Sequence, residues 1–252
     1  MKMKKAIGLL SILSAVILLL AACSGNSSEQ ITQTQETEQP DPSEAQQQIL
    51  LIMNSMDEWK AADGSDAGDY SYTVADLDGN GRLEIIAAVT RDTDLYTYGY
   101  IYEVSEDFAS LVRCDTPCGH DSDLPEIIVQ SVPAAYDAQS GSYDYLFTND
   151  TQSGSSELYQ SIMAVRFQNG VLSCTVLANS YTNRIDEGQE EHEYAVVSGD
   201  TFMQVSALEY NAVISNYQEE LQGFTANFEW FTFASDVTEE TLSSSLSTFQ
   251  SE

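Results

Sequence analysis

Between Asp76 and Glu84 the chain reads Asp-Leu-Asp-Gly-Asn-Gly-Arg-Leu-Glu, with an oxygen-bearing side chain at every second position of its first half. Counting Asp76 as position one, Asp78, Asn80 and Glu84 fall at three, five and nine. Glycine stands at six, and the Arg82 carbonyl falls at seven. This donor set suits calcium, a hard cation that takes six to eight oxygens and is surrounded by alternating acids around a tight glycine turn. Bound there, the ion would be structural, offsetting carboxylate repulsion and pinning the loop. Asn80-Gly81 is also a turn signal that needs no metal, so a plain hairpin loop is the alternative. Four oxygen side chains in register exceed what a turn requires.

Tyr96, Tyr98, Tyr100 and Tyr102 alternate along one predicted strand, which puts their rings on one face. An open face would be an aromatic platform for sugars or peptides, since tyrosine joins an apolar body to a polar tip. A helix formed by residues 45–60 would instead cover it. Cys114, Cys118 and His120, with Asp121 and Asp123 nearby, offer zinc-type ligands, but their spacing matches no standard finger. A Cys114–Cys118 bridge and free thiols are both open readings. His192 stands among Glu190, Glu191 and Glu193, as on a solvated loop. No nucleophile elbow, zinc-protease helix or phosphate loop is present. With 40 acidic residues, a two-carboxylate glycosidase pair could be nominated anywhere and is singled out nowhere.

The first nine positions of the acidic loop resemble EF-hand-like calcium loops. They depart at position twelve, where an EF-hand places a bidentate glutamate and this chain has Ala87. Predicted strands rather than helices flank the loop, so it is closer to the strand–loop–strand calcium loops of FG-GAP and VCBS-type repeats. That resemblance implies that Glu84, the acid at position nine, completes the site.

The N-terminus carries a different chemistry. Lys2, Lys4 and Lys5 precede an apolar run over residues 6–20, and Leu20-Ala21-Ala22-Cys23 closes it. These four residues resemble the lipobox of bacterial lipoproteins. The resemblance implies cleavage before Cys23 and a diacylglyceryl thioether on its sulfur, with palmitate-type acyl chains holding the protein to the outer face of the cell membrane. An ordinary signal peptide is the bland alternative. The formal net charge is −31, and cleavage would remove three of the nine basic residues. Such a surface repels nucleic acid and anionic lipid, so attachment must come from the lipid itself.

Residues 23–44 are rich in Ser, Thr, Gln and Glu, with almost no large apolar side chains, and read as a disordered tether. A single folded domain is expected over residues 45–252. Ile49, Ile52, Met53, Met56 and Trp59 recur at helical spacing, with Asp41 or Ser43 as cap and Gly64 past the end. Short strands are predicted over residues 70–75, 83–89, 96–104, 108–113, 143–148, 159–168, 171–177, 194–197 and 201–205. Asn169-Gly170 and Ser198-Gly199-Asp200 are the hairpin turns. Ser206-Ala207-Leu208-Glu209 is a capping box opening a helix that Gly223 would end, and a last helix is predicted over residues 239–249.

The pattern specifies an α+β fold, a mainly antiparallel sheet system with an N-terminal helix and one or two C-terminal helices. The helix, the acidic loop, the later strand pairs and the Ser206 helix together resemble a group of Gram-positive surface lipoproteins with one acidic glycine loop after an N-terminal helix. No activity comes with that resemblance. The reading leans away from an enzyme, toward a calcium-stabilised extracellular module that binds a glycan, peptide or protein. A secreted carboxylate hydrolase is the alternative. A transporter-associated solute-binding protein fits less well, because alternating strand–helix units are missing.

Overall fold

The computed structural model describes residues 42–60, 70–90, 97–114, 123–124, 126–153, 156–186, 189–199, 201–233 and 237–250. Residues 1–41, Cys23 and the expected signal peptide among them, lie outside these, as do Gly64, Tyr96, Cys118 and His120. The fold is α+β, with antiparallel sheets and helices toward both ends of the chain.

The predicted first helix is two segments, α1 (Pro42–Asn54) and α2 (Met56–Trp59), broken at Ser55. Proline suits the first helical position, where no intrahelical N–H bond is lost. The helix therefore starts inside the stretch expected to be tether. The strands are β1 (Ser71–Ala75), β2 (Glu84–Thr90), β3 (Thr97–Val104), β4 (Leu111–Arg113), β5 (Asp123–Leu124), β6 (Ser131–Asp137), β7 (Ser142–Ser153), β8 (Glu157–Gln168), β9 (Val171–Asp186), β10 (Gln189–Ser198) and β11 (Thr201–Gln204). Helices α3 (Ala207–Asn211) and α4 (Val213–Glu220) follow, then β12 (Gln222–Asn227), β13 (Phe231–Thr232) and α5 (Glu239–Phe249). One sheet has the order β13-β1-β2-β3-β4, with β5 also paired to β3; the other runs β11-β10-β9-β8-β7-β6-β12. The described pairings are all antiparallel.

Strand alternation sorts the side chains into layers. Ile86, Ala88 and Ile101 face inward onto Tyr145, Phe147, Val165 and Phe167 of the second sheet. Tyr72, Val74, Ile85 and Ala87 face the other way and are covered by Ile49, Ile52 and Trp59 together with Leu242 and Leu246 of α5. On the far side of the second sheet, Ile162 and Ala178 pack against Tyr210. The order is helices, sheet, sheet, helices. β2, buried on both faces, accordingly reads as an apolar run from Ile85 to Val89 behind Glu84.

The Asn169-Gly170 turn and the Ser206 cap form as their chemistry requires, whereas Ser43 lies inside α1 instead of capping it and Asp41 lies outside the described residues. Asn169 and Gly170 both have positive φ, 50° and 74°, as a two-residue turn between β8 and β9 demands. Ser206 and Glu209 make a reciprocal capping box. The helix behind it is broken at Ala212 into α3 and α4, and Gly223 lies within β12 rather than closing the helix. Cys174 is disulfide-bonded and Cys114 is a buried free thiol. A Cys114–Cys118 bridge is thereby overturned, and so is a set of three free thiols.

Candidate metal centre

The acidic loop joins β1 to β2 in one hairpin, whose last described pair sets Ala75 opposite Glu84. Gly79 and Gly81 take positive φ, 67° and 81°, which lets the loop curl so tightly. Its polar side chains bond back onto its own backbone. The Gly81 N–H donates to Asp76 Oδ2 at 3.0 Å, the Asn80 N–H to Asp78 Oδ1 at 3.3 Å, and the Arg82 N–H to Asn80 Oδ1 at 2.7 Å. The Leu77 N–H donates to Glu84 Oε2 at 2.7 Å.

Three other elements hold the loop from outside. Gln48 of α1 accepts from the Leu83 N–H and donates to the Gly81 carbonyl, both at 2.8 Å, so one amide acts as a strand edge. The Tyr145 hydroxyl of β7 donates to the Leu77 carbonyl at 2.8 Å. At the β8–β9 turn the Asn169 N–H donates to Asp78 Oδ2 at 3.0 Å.

Glu103 of β3 completes the acidic group and was not foreseen. It lies directly across the ladder from Glu84, and both project toward the second sheet, as Ile86 and Ile101 do. Asp78, Glu84 and Glu103 each bring a carboxylate oxygen within 4.8 Å of the others. Like charges directly opposite on neighbouring strands oppose pairing unless a cation separates them. Arg82 provides one, its guanidinium 2.6 Å from Glu103 Oε1, and the Asn80 amide donates to the same oxygen at 2.9 Å.

That leaves Asp76, Asp78 and Glu84 in excess of the one guanidinium. Glu84 is fully buried, and Asp76 is 8% exposed. Burial pushes the Asp76 carboxyl up to about 7, and the neighbouring Asp78 charge adds to the rise. Burial likewise pushes Glu84 well above the carboxylate range, with Asp76 and Asp78 contributing. Asp76 Oδ1 and Glu84 Oε1 are both buried without a hydrogen-bond partner among the described residues. Orphaned carboxylate oxygens beside excess negative charge are the environment that a hard divalent ion satisfies.

No protein-family model and no curated protein matches the chain. Among solved structures, it is similar to a Xanthomonas type IV secretion system related protein. The likeness covers 53% of this chain and 56% of that one, at 9% identity and a TM-score of 0.31. The chain thus spans little more than half of that protein's length, and the likeness bears neither fold nor function.

The expected ligands are only partly brought together. Asp78 and Glu84 converge with Glu103; Asp76 is not part of that group, and its Oδ1 is buried without a hydrogen-bond partner among the described residues. Asn80 instead spends its oxygen on the Arg82 N–H, and the Arg82 side chain serves as counter-charge. No linear motif marks Glu103: it is the one charged residue of β3, on the face that alternates with the tyrosines, and the β2–β3 register brings it opposite Glu84.

The tyrosine platform fails where it is described. Tyr100 and Tyr102 are buried under the helices in the outer core. The Tyr102 hydroxyl donates to the Glu58 carbonyl at 3.2 Å, and Arg113 lies 4.5 Å from the centre of the Tyr100 ring. Tyr96 and the side chain of Tyr98 lie outside the described residues. Of the zinc-type group only Cys114 has a described side chain; burial pushes its thiol up, and Glu84 and Glu103 push it further. His192 accepts or donates a 3.0 Å hydrogen bond with Thr182 and lies on β10 rather than in a loop.

Proposed function

We propose that this protein is a cell-surface lipoprotein, held by diacylglycerol on Cys23, whose folded domain is a calcium-stabilised binding module rather than an enzyme. Asp78, Glu84 and Glu103 would hold the ion, with Asp76 completing the oxygen shell. The ion supplies fixed positive charge and no reaction step. The observation that carries the calcium is the pair of orphaned buried oxygens, Asp76 Oδ1 and Glu84 Oε1. The Leu20-Ala21-Ala22-Cys23 stretch supports the anchor, and the strong negative charge argues against nucleic acid as a partner. A binding role is favoured because Glu84 and Glu103, two of the three convergent acids, are buried rather than presented in a cleft.

The test is a melting curve with calcium and with chelator. Calcium at a hundred times its dissociation constant stabilises by about 2.7 kcal/mol, which raises the melting temperature of a domain of this size by about 5–10 °C. Asp78→Ala should remove most of that rise. A wild-type curve indifferent to calcium and chelator would refute the metal.

A further inference from the structure

The second sheet is longer than the first. Its inward face covers the first sheet through Tyr145, Phe147, Val165 and Phe167. Beyond Met163 the same face runs on with no helix or strand described against it. The opposite face of that end is closed by Tyr210, Val213 and Ile214.

On this overhang lies a groove of about 270 Å³ across β8, β9 and β10. Its floor is set by register: Tyr159 is opposite Tyr181, and Tyr181 is opposite Glu193. The Tyr159 and Tyr181 rings are 4.8 Å apart, tilted 39°, and Tyr159 is 44% exposed. The Tyr181 hydroxyl donates to Glu157 at 3.0 Å, which fixes that ring. The next row is polar. Ser161 donates to Asn179 Oδ1 at 2.8 Å, and Gln204 of β11 lines the far wall. Asn149 stands opposite Ser161 at the other end of that row, and its Oδ1 is buried with no hydrogen-bond partner among the described residues.

We propose that this groove binds a neutral oligosaccharide. The proposal rests on the reading of the domain as a binding module and names its ligand class; it does not depend on the metal or the anchor. A pyranose ring has an apolar C–H face and a rim of hydroxyls. Adjacent tyrosines match the face, and a row of amides and hydroxyls matches the rim. Charge excludes the acidic sugars: the charged groups at the groove are the carboxylates of Glu157 and Glu193, and none of the residues lining it is basic. A peptide is disfavoured by the backbone. Strand addition needs unpaired N–H and C=O groups, yet β8 and β9, which carry both tyrosines, are laddered to neighbours on both sides, and β11 covers β10 from Ala195 to Ser198.

The experiment is calorimetric titration of the full-length protein with four neutral probes: cellohexaose, xylohexaose, mannohexaose and N-acetylchitohexaose. Tri-galacturonic acid is the anionic control. Saturable binding of at least one neutral probe is expected, with none of the acidic one. Tyr159→Ala with Tyr181→Ala should weaken it at least tenfold, and Asn179→Ala severalfold. Both rings can be removed without opening the core, and an unchanged circular-dichroism spectrum with a cooperative melting curve shows that the variant is folded. Silence toward all four neutral probes overturns the proposal, as does binding that ignores the tyrosines. A defined peptide library separates the two failures. Peptide binding lost with the same tyrosines would overturn the sugar class and leave the module standing, whereas no binding of either class would sink both.

Discussion

Glu84 shows how a single side chain sets the terms for its surroundings. Fully buried, with one oxygen on the Leu77 N–H and the other unpartnered, it strongly disfavours its own ionisation. Asp76 shares the constraint. Because its folded pKa is raised to about 7, the folded state holds a proton that the unfolded chain has already released. This contribution to stability is complete below the unfolded value near 4 and is lost as pH rises through about 7. In chelator, urea-unfolding stability should therefore fall between pH 4 and pH 7, and calcium should flatten the fall by replacing the proton. Glu84→Gln keeps the shape and spares the folded state the cost of holding this carboxyl in its protonated form. It should hold or raise stability in chelator, by about 1–3 kcal/mol at neutral pH, while weakening the response to calcium.

Single elements show which parts of the fold a sequence can disclose. Turns and caps were legible because their chemistry is local: Asn169-Gly170 and the Ser206 box each act within four residues. The ends of β9 and β10 were not. They continue through Asn179, Thr182, Asn183, Glu191 and Glu193, where an uncovered face demands no apolar alternation, and partner strands rather than side chains dictate the extension. β6 escaped notice because Pro133 argues against a strand; that residue sits just before the stretch paired to β7, where a missing N–H is tolerated. Two of the three converging acids, Asp78 and Glu84, were visible in a linear motif, but Glu103 reaches them only through strand pairing. Gly223 was read as a helix end, whereas the fold uses it for closeness: a Cβ there would stand 2.6 Å from Gln218 Cβ of α4. Gly223→Ala must push α4 off β12 and should cost about 1–3 kcal/mol, measured by urea unfolding.

Across the whole molecule, the acidic loop is a joint between the two sheets. It grows from the first, yet Asp78 holds the Asn169 N–H of the second, and a Cβ on Gly170 would lie 3.5 Å from Glu103 Oε2. Calcium should therefore slow amide exchange at Asn169 at least tenfold relative to chelator, read by exchange mass spectrometry on peptides spanning the turn. The C-terminal segment makes a second joint. It adds β12 beside β6, crosses to add β13 beside β1, and ends in α5, whose Ser245 hydroxyl accepts from the Val74 N–H at 2.8 Å where the β13 pairing has stopped. The first sheet thus borrows its edge from the far end of the chain, 171 residues away. Contacts of such separation form late and close a large loop. Because synthesis runs from the N-terminus, the first strands must wait, one edge bare, until the last helix arrives; during that interval β1 is the place where another chain would pair and aggregation would begin.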